Sequence, residues 1–148
     1  MINRIYDLTV FIRFFMSISI ALTACSAVLA QTILVHPNNH NSAISPNKLR
    51  AIYSMKTRVW PDQTPISVFI LNPHSKAHRN FCIKQLNIFP YQLQRVWDVM
   101  VYSGTGQAPI EVKSEDEMIK KIANTPGSIG YIVDPEVPDN VKIIQVQH

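Results

Sequence analysis

The stretch LNPHSKAHRNF, Leu71 to Phe81, gathers two histidines, a lysine, an arginine and a serine where the apolar run ISVFIL gives way to a helical pattern. These residue types support three chemistries: a metal site, an anion cradle, or a capped helix start. For metal, His36 and His40, and again His74 and His78, are four apart, a spacing that presents two imidazoles on one helix face. The context disfavours both pairs. His36 closes a strand and His40 lies in an Asn-rich loop, while His74 falls before the expected N-cap, and no carboxylate or third ligand sits close by to complete either set. For an anion the grounds are better. With Ser75 as N-cap after a strand, the next N–H groups point out of the strand's carboxyl end, and Lys76, His78 and Arg79 stand near enough to add charge. The plainer alternative is a capped helix with a basic, exposed first turn. SGTG, Ser103 to Gly106, raises the same choice between a nest of backbone N–H groups and a connection that needs glycine at positive φ.

Other chemistries find no footing. The sequence has no phosphate-loop pattern, no strand-to-helix nucleophile elbow and no cysteine set at zinc spacing, so no enzyme, cofactor or metal is expected. Glu111 reads as a strand edge, and Glu115, Asp116 and Glu117 as a helix first turn where negative charge complements the dipole. Cys82, between Phe81 and Ile83, reads as a buried structural thiol. Lys and Arg are scattered instead of interleaved with aromatics, which argues against nucleic acid as a partner.

The elements that must position these residues alternate between apolar runs and helical periodicity. TILVH (32–36) predicts a strand. Ser45 and Pro46 open a short helix with Leu49, Ile52 and Tyr53 on one face. ISVFIL (66–71) is a strand covered on both faces, followed by helices from Ser75 to about Leu86 and from Pro90 to about Tyr102. Ser114 and Glu117 form a capping-box pattern before a further helix that TPG ends. SIGYIV and VKIIQV are the last strands. Tyr53, Trp60 and Trp97 fall in apolar stripes and are expected in the core. The fold class is α/β, a single three-layer α/β/α unit over residues 31–148.

Residues 1–30 are set apart from that unit. Arg4 and Arg13, the apolar run from Phe14 to Leu22, and the small residues of SAVLA predict a secretory signal peptide cleaved after Ala30, hence a periplasmic protein. Its removal takes the formal charge from +4 to +3. LTAC (22–25) also fits the motif before a lipidated cysteine, and a lipid on Cys25 would anchor the chain to a membrane surface.

Taken together, SPNKLRAIYSMKTRVWPDQTPISVFILNPHSKAHRNF, FPYQLQRVWDVMVYSGTGQAPIEV and TPGSIGYI resemble short periplasmic proteins of the phosphate-binding-protein-like family, which are similar to the second lobe of the solute-binding component of phosphate ABC transporters. The likeness covers nearly all of residues 33–134. It implies a single lobe of the periplasmic-binding-protein-like fold and a non-enzymatic role in oxyanion capture. It also implies that Ser75 stands where the family's helix-start serine lies, while Leu71 replaces the family's arginine and Lys76-Ala77 its Gly-Thr. Met55 and Gln63 occupy turns where the family carries glycine. With one lobe of the ligand shell, phosphate affinity is expected in the millimolar range, roughly −4 kcal/mol, unless two chains face each other as a homodimer or a partner closes the site. The alternative is an interaction module that keeps the lobe's fold and binds a membrane sensor, porin or transport component.

Overall fold

A computed structural model describes residues 31–133 and 136–147. The expected signal segment, with Cys25, lies outside them. Six strands and four helices follow in the order β1 (Thr32–Val35), β2 (Ala43–Ile44), α1 (Pro46–Tyr53), β3 (Ser67–Leu71), α2 (Lys76–Lys84), α3 (Pro90–Tyr102), β4 (Ile110–Val112), α4 (Glu115–Asn124), β5 (Ser128–Ile132) and β6 (Lys142–Val146). One mixed sheet has the order β2-β6-β1-β5-β3-β4. β3, β4 and β5 run parallel, and β1 is antiparallel to both β5 and β6.

Local chemistry sets most helix ends. The Ser45 hydroxyl accepts from Lys48 N and Pro46 opens α1, as the sequence predicts. Pro90 opens α3 with no side-chain cap on its first turn; Gln92 Oε1 instead accepts from Phe89 N at 3.1 Å. α2 ends at Lys84, earlier than the apolar pattern suggests, with Leu86 still buried just beyond it. The two-residue β2 has no counterpart in the sequence pattern, because so short a strand has no period to read; its parallel pairing with β6 alone defines it.

The layers follow from alternation along β5. Gly130 faces α4, where a Cβ would collide with Met118 Sδ and Ile122 Cδ1. Neighbouring Tyr131 faces the other way. Its ring stacks on Phe81 of α2 at 3.8 Å between centroids and lies 6.2 Å from Tyr53 of α1. His78, in turn, is 6.1 Å from Trp97 of α3. The sheet therefore carries α4 on one face and α1, α2 and α3 on the other. Such aromatic contacts add on the order of 1 kcal/mol each beyond the area they bury. Tyr53, Trp60 and Trp97 are all core residues, and the two indoles donate to the carbonyls of Gly127 (2.9 Å) and Tyr53 (2.7 Å).

Met55 and Gln63 have φ of 59° and 64°. Both turns thus adopt the left-handed backbone that suits glycine, and both carry it on a side-chain residue, at a cost of about 1 kcal/mol each. No described helix is long and apolar enough to cross a membrane.

Candidate functional site

Because β3, β4 and β5 are parallel, their carboxyl ends, Leu71, Val112 and Ile132, lie along one edge of the sheet. Two helices begin there: α2 shortly after β3, and α4 shortly after β4. Open α/β sheets receive ligands at this kind of edge.

The α2 start is built by a short polar relay. Asn72 Oδ1 accepts from His74 N (2.9 Å) and Asn72 O from Ser75 N (2.9 Å), which turns the chain off the strand. Ser75 takes extended backbone angles and its hydroxyl accepts from His78 N at 3.1 Å. The N–H groups of Lys76 and Ala77 have no intrahelical acceptor. Lys76 and Arg79 are exposed on this first turn, and the turn contains no acidic residue.

Of the four residues singled out by sequence, the structure brings Ser75, Lys76 and Arg79 to the helix start and turns His78 away from it. The His78 side chain is 1 % exposed. Leu71 N donates to the Tyr131 hydroxyl (3.2 Å), which leaves the Tyr131 O–H to donate to His78 Nδ1 (2.7 Å) and the imidazole Nε2–H to face Cys82 Sγ (3.3 Å). Burial pushes His78 down to about 4 and the Cys82 thiol up to about 12. The expectation that His78 lends charge to an anion is therefore corrected: it is neutral near pH 7 and belongs to the core. A sequence pattern cannot show this, since His78 is the third helical residue and only the position of the sheet decides which way it points. The His78–Cys82 pair superficially suggests a nucleophile and base, yet both shifts oppose a thiolate–imidazolium pair.

Four further residues at the edge, Asn72, Glu111, Glu115 and Gln31, were not predicted as site residues. Asn72 Nδ2 donates to Glu111 Oε1 (3.0 Å), tying β3's end to β4. Glu115 Oε1 accepts from Val133 N (3.0 Å), tying α4's start to β5's end. Gln31 Nε2 donates to Ala77 O in the first turn of α2 (2.7 Å), while its Oε1 is buried without a partner among the described residues. The signal that could have found Glu111 was its place two residues after Pro109, at an edge strand; Gln31 gave none.

The other candidates resolve differently. The amides of Gly104, Thr105 and Gly106 all bond to carbonyls at the end of α3, so SGTG terminates a helix and forms no open nest. It borders a hollow of about 460 Å³ at the amino ends of β3 and β4, where Arg58 donates to Thr105 O. His36, His40 and Asp62 border a separate hollow of about 230 Å³, but among the described residues no three His, Cys, Asp or Glu are grouped to hold a metal.

The same architecture recurs in solved structures. A phosphate ABC transporter substrate-binding protein from Clostridium perfringens, with bound phosphate, aligns with 80% of this chain and 46% of its own, at 18% identity and a TM-score of 0.63. PstS from Borrelia burgdorferi aligns with 79% of this chain and 47% of its own, at 22% identity and a TM-score of 0.61. An ABC-type phosphate transport receptor from Vibrio cholerae gives 80%, 47%, 17% and 0.54. The fold is phosphate-binding-protein-like. At these identities the likeness concerns the fold, and the chain spans less than half the length of the phosphate-binding-protein-like structures it matches. No protein-family model and no curated protein matches the sequence.

Leu71, where the resemblance implies an arginine, is instead a buried apolar core residue that pairs with Val112 across β3 and β4 and donates its main-chain N–H to the Tyr131 hydroxyl.

Proposed function

We propose that the chain is a solute-binding-like lobe that receives phosphate or a similar oxyanion at the α2 start, non-catalytically and weakly. The observation that carries this reading is the charge of that first turn. Lys76 and Arg79 are exposed beside unpaired helix amides, where the dipole alone would call for acidic residues. The amides and two cations supply donors on one side of an anion and leave the other side in water. Without the arginine, and with Glu111 and Glu115 on the same edge, affinity should stay in the millimolar range, roughly −4 kcal/mol. Export through residues 1–30 accompanies this reading. The intact mass of the protein recovered from its host distinguishes cleavage after Ala30 from a lipid on Cys25.

Calorimetric titration with inorganic phosphate tests the proposal. A millimolar signal, together with a phosphate-dependent rise in Tm that Ser75→Ala/Arg79→Ala abolishes, supports it. Low-micromolar binding by the monomer, or a Tm rise unchanged in the double variant, would overturn it. A second reading, an interaction module that binds a membrane sensor, porin or transport component, draws on Leu71 in place of the arginine. That reading predicts partner binding that survives the same double variant.

A further inference from the structure

The face of α3 turned away from the core carries an unusual set of residues. Tyr91 is 66 % exposed, Val99 62 % and Tyr102 96 %. Leu93 and Trp97 occupy the opposite, buried face. At 3.6 residues per turn, Tyr91, Arg95, Asp98 and Tyr102 fall within an arc of about 60°, and the stripe runs about 16 Å along the axis. Exposed aromatics at both ends of one outward stripe are not needed to hold α3 on the sheet.

The order of residues along the stripe is self-complementary. If a second α3 lies antiparallel across it, with a twofold axis level with Val96 and Trp97, each residue meets the one whose number mirrors its own. Tyr91 then faces the partner's Tyr102, and Arg95 faces the partner's Asp98. An isologous interface requires this relation, in which the contact of one residue with another is repeated with the copies exchanged. A random exposed stripe has no reason to place opposite charges symmetrically about its midpoint and aromatics symmetrically outside them.

Shape agrees with the charges. A hollow of about 510 Å³, lined by Pro73, His74, Pro90, Tyr91 and Gln94, opens beside the start of α3. In the mirrored register the partner's Tyr102, the most exposed of the large hydrophobic side chains, arrives opposite Tyr91, at that hollow. Each copy thus offers one knob and one socket. Gln94 Nε2 already holds Asp98 Oδ1 at 2.8 Å, which steadies the carboxylate for an arginine from across the axis.

We propose that the occupant of this face is a second copy of the chain, forming a twofold dimer through antiparallel α3 helices, with Arg95–Asp98 pairs at its centre and Tyr102 in the partner's hollow. Pro73 and His74 precede Ser75 in the chain, so the dimer covers the loop leading to the α2 start. The pairing stands on its own observations, whatever the lobe binds. An interface of little more than one helix face is small and gives a weak dimer, with a Kd on the order of 10–100 µM.

Sedimentation equilibrium of the purified protein over a concentration series tests it, with circular dichroism to check that each variant is folded. The expected result is reversible dimerisation that Arg95→Asp and Asp98→Arg each weaken about tenfold or more, because like charges then meet across the axis, and that the double variant restores to near the original Kd. Tyr102→Ala, at a site that supports nothing in its own chain, should weaken it as well. A protein that stays monomeric to about 500 µM overturns the proposal, and so does a charge-swapped double variant no better than either single one. A dimer indifferent to all of these substitutions also overturns it, since its interface would lie elsewhere.

Discussion

α2 and α4 both begin with a serine cap on the same edge of the sheet, yet their first turns are opposites. Ser114 accepts from Glu117 N (3.2 Å), Glu117 returns a bond to Lys113 N (2.8 Å), and Glu115, Asp116 and Glu117 set three acids against the positive end of the helix. Every local preference there favours stability. Ser75 caps α2 equally well, but Lys76 and Arg79 place like charge on that end, and no acid in the turn relieves them. The difference teaches where to look for function: one start is optimised for folding, and the other breaks a local rule. α2 tolerates this because its first turn is bolted to the core from below. His78, Tyr131 and the Leu71 amide share one buried network, whereas α4's start is held by carboxylates at the surface.

Tyr131→Phe should do most to break the contrast, because it removes the hydroxyl that serves both Leu71 N and His78 Nδ1. Two buried polar groups are then unpaired, and stability measured by urea unfolding should fall by about 2–4 kcal/mol. Glu115→Gln, the counterpart at the other start, should change it far less.

Acid separates the two starts next. His78 is held near 4 in the folded chain against 6.5 for an ordinary histidine. Between those values the unfolded chain binds a proton that the folded chain refuses. The stability contributed by the neutral imidazole is thus fully present above pH 6.5, is lost as pH falls toward 4, and changes no further below that. Unfolding free energies measured from about pH 7 to 4 should drop by on the order of 2 kcal/mol from this group, and His78→Gln should flatten that part of the profile. An equal slope in the variant would show that the imidazole is not buried neutral.

Ser75→Ala and Ser114→Ala should each cost about 1 kcal/mol by thermal unfolding, since each loses one cap bond. Only Ser75→Ala should alter any response to phosphate. The smallest effects sharpen the comparison most. Lys76→Glu should stabilise the protein by about 0.3–1 kcal/mol and weaken anion binding, whereas Asp116→Lys should destabilise it by a similar amount. A destabilising Lys76→Glu would mean that the lysine has a structural duty at the α2 start.

Much of this contrast is legible in the chain itself. Ser45, Ser75 and Ser114 announce their helices because capping needs only a short side-chain oxygen and the amides three residues on. Pro46 and Pro90 mark first helical positions for an equally local reason. Met55 and Gln63 stand out only through the resemblance, which implies glycine in their turns, and both turns have positive φ. Less legible are contacts between distant residues. Gln31 reaches Ala77 across 46 positions, and Asn72 reaches Glu111 across 39. The box expected at Ser114 N closes instead on Lys113 N, a shift of one amide that a spacing rule cannot resolve.

The sequence by itself determined the four helices, the longer strands β1, β3, β5 and β6, the serine caps and the basic character of the α2 start, because periodicity, capping and charge act over a few residues. The tertiary structure decided the sheet order, the inward turn of His78 and the gathering of two helix starts with Asn72, Glu111, Glu115 and Gln31 on one edge. Which strands pair, and so which helix face meets the sheet, depends on burial summed over the whole chain.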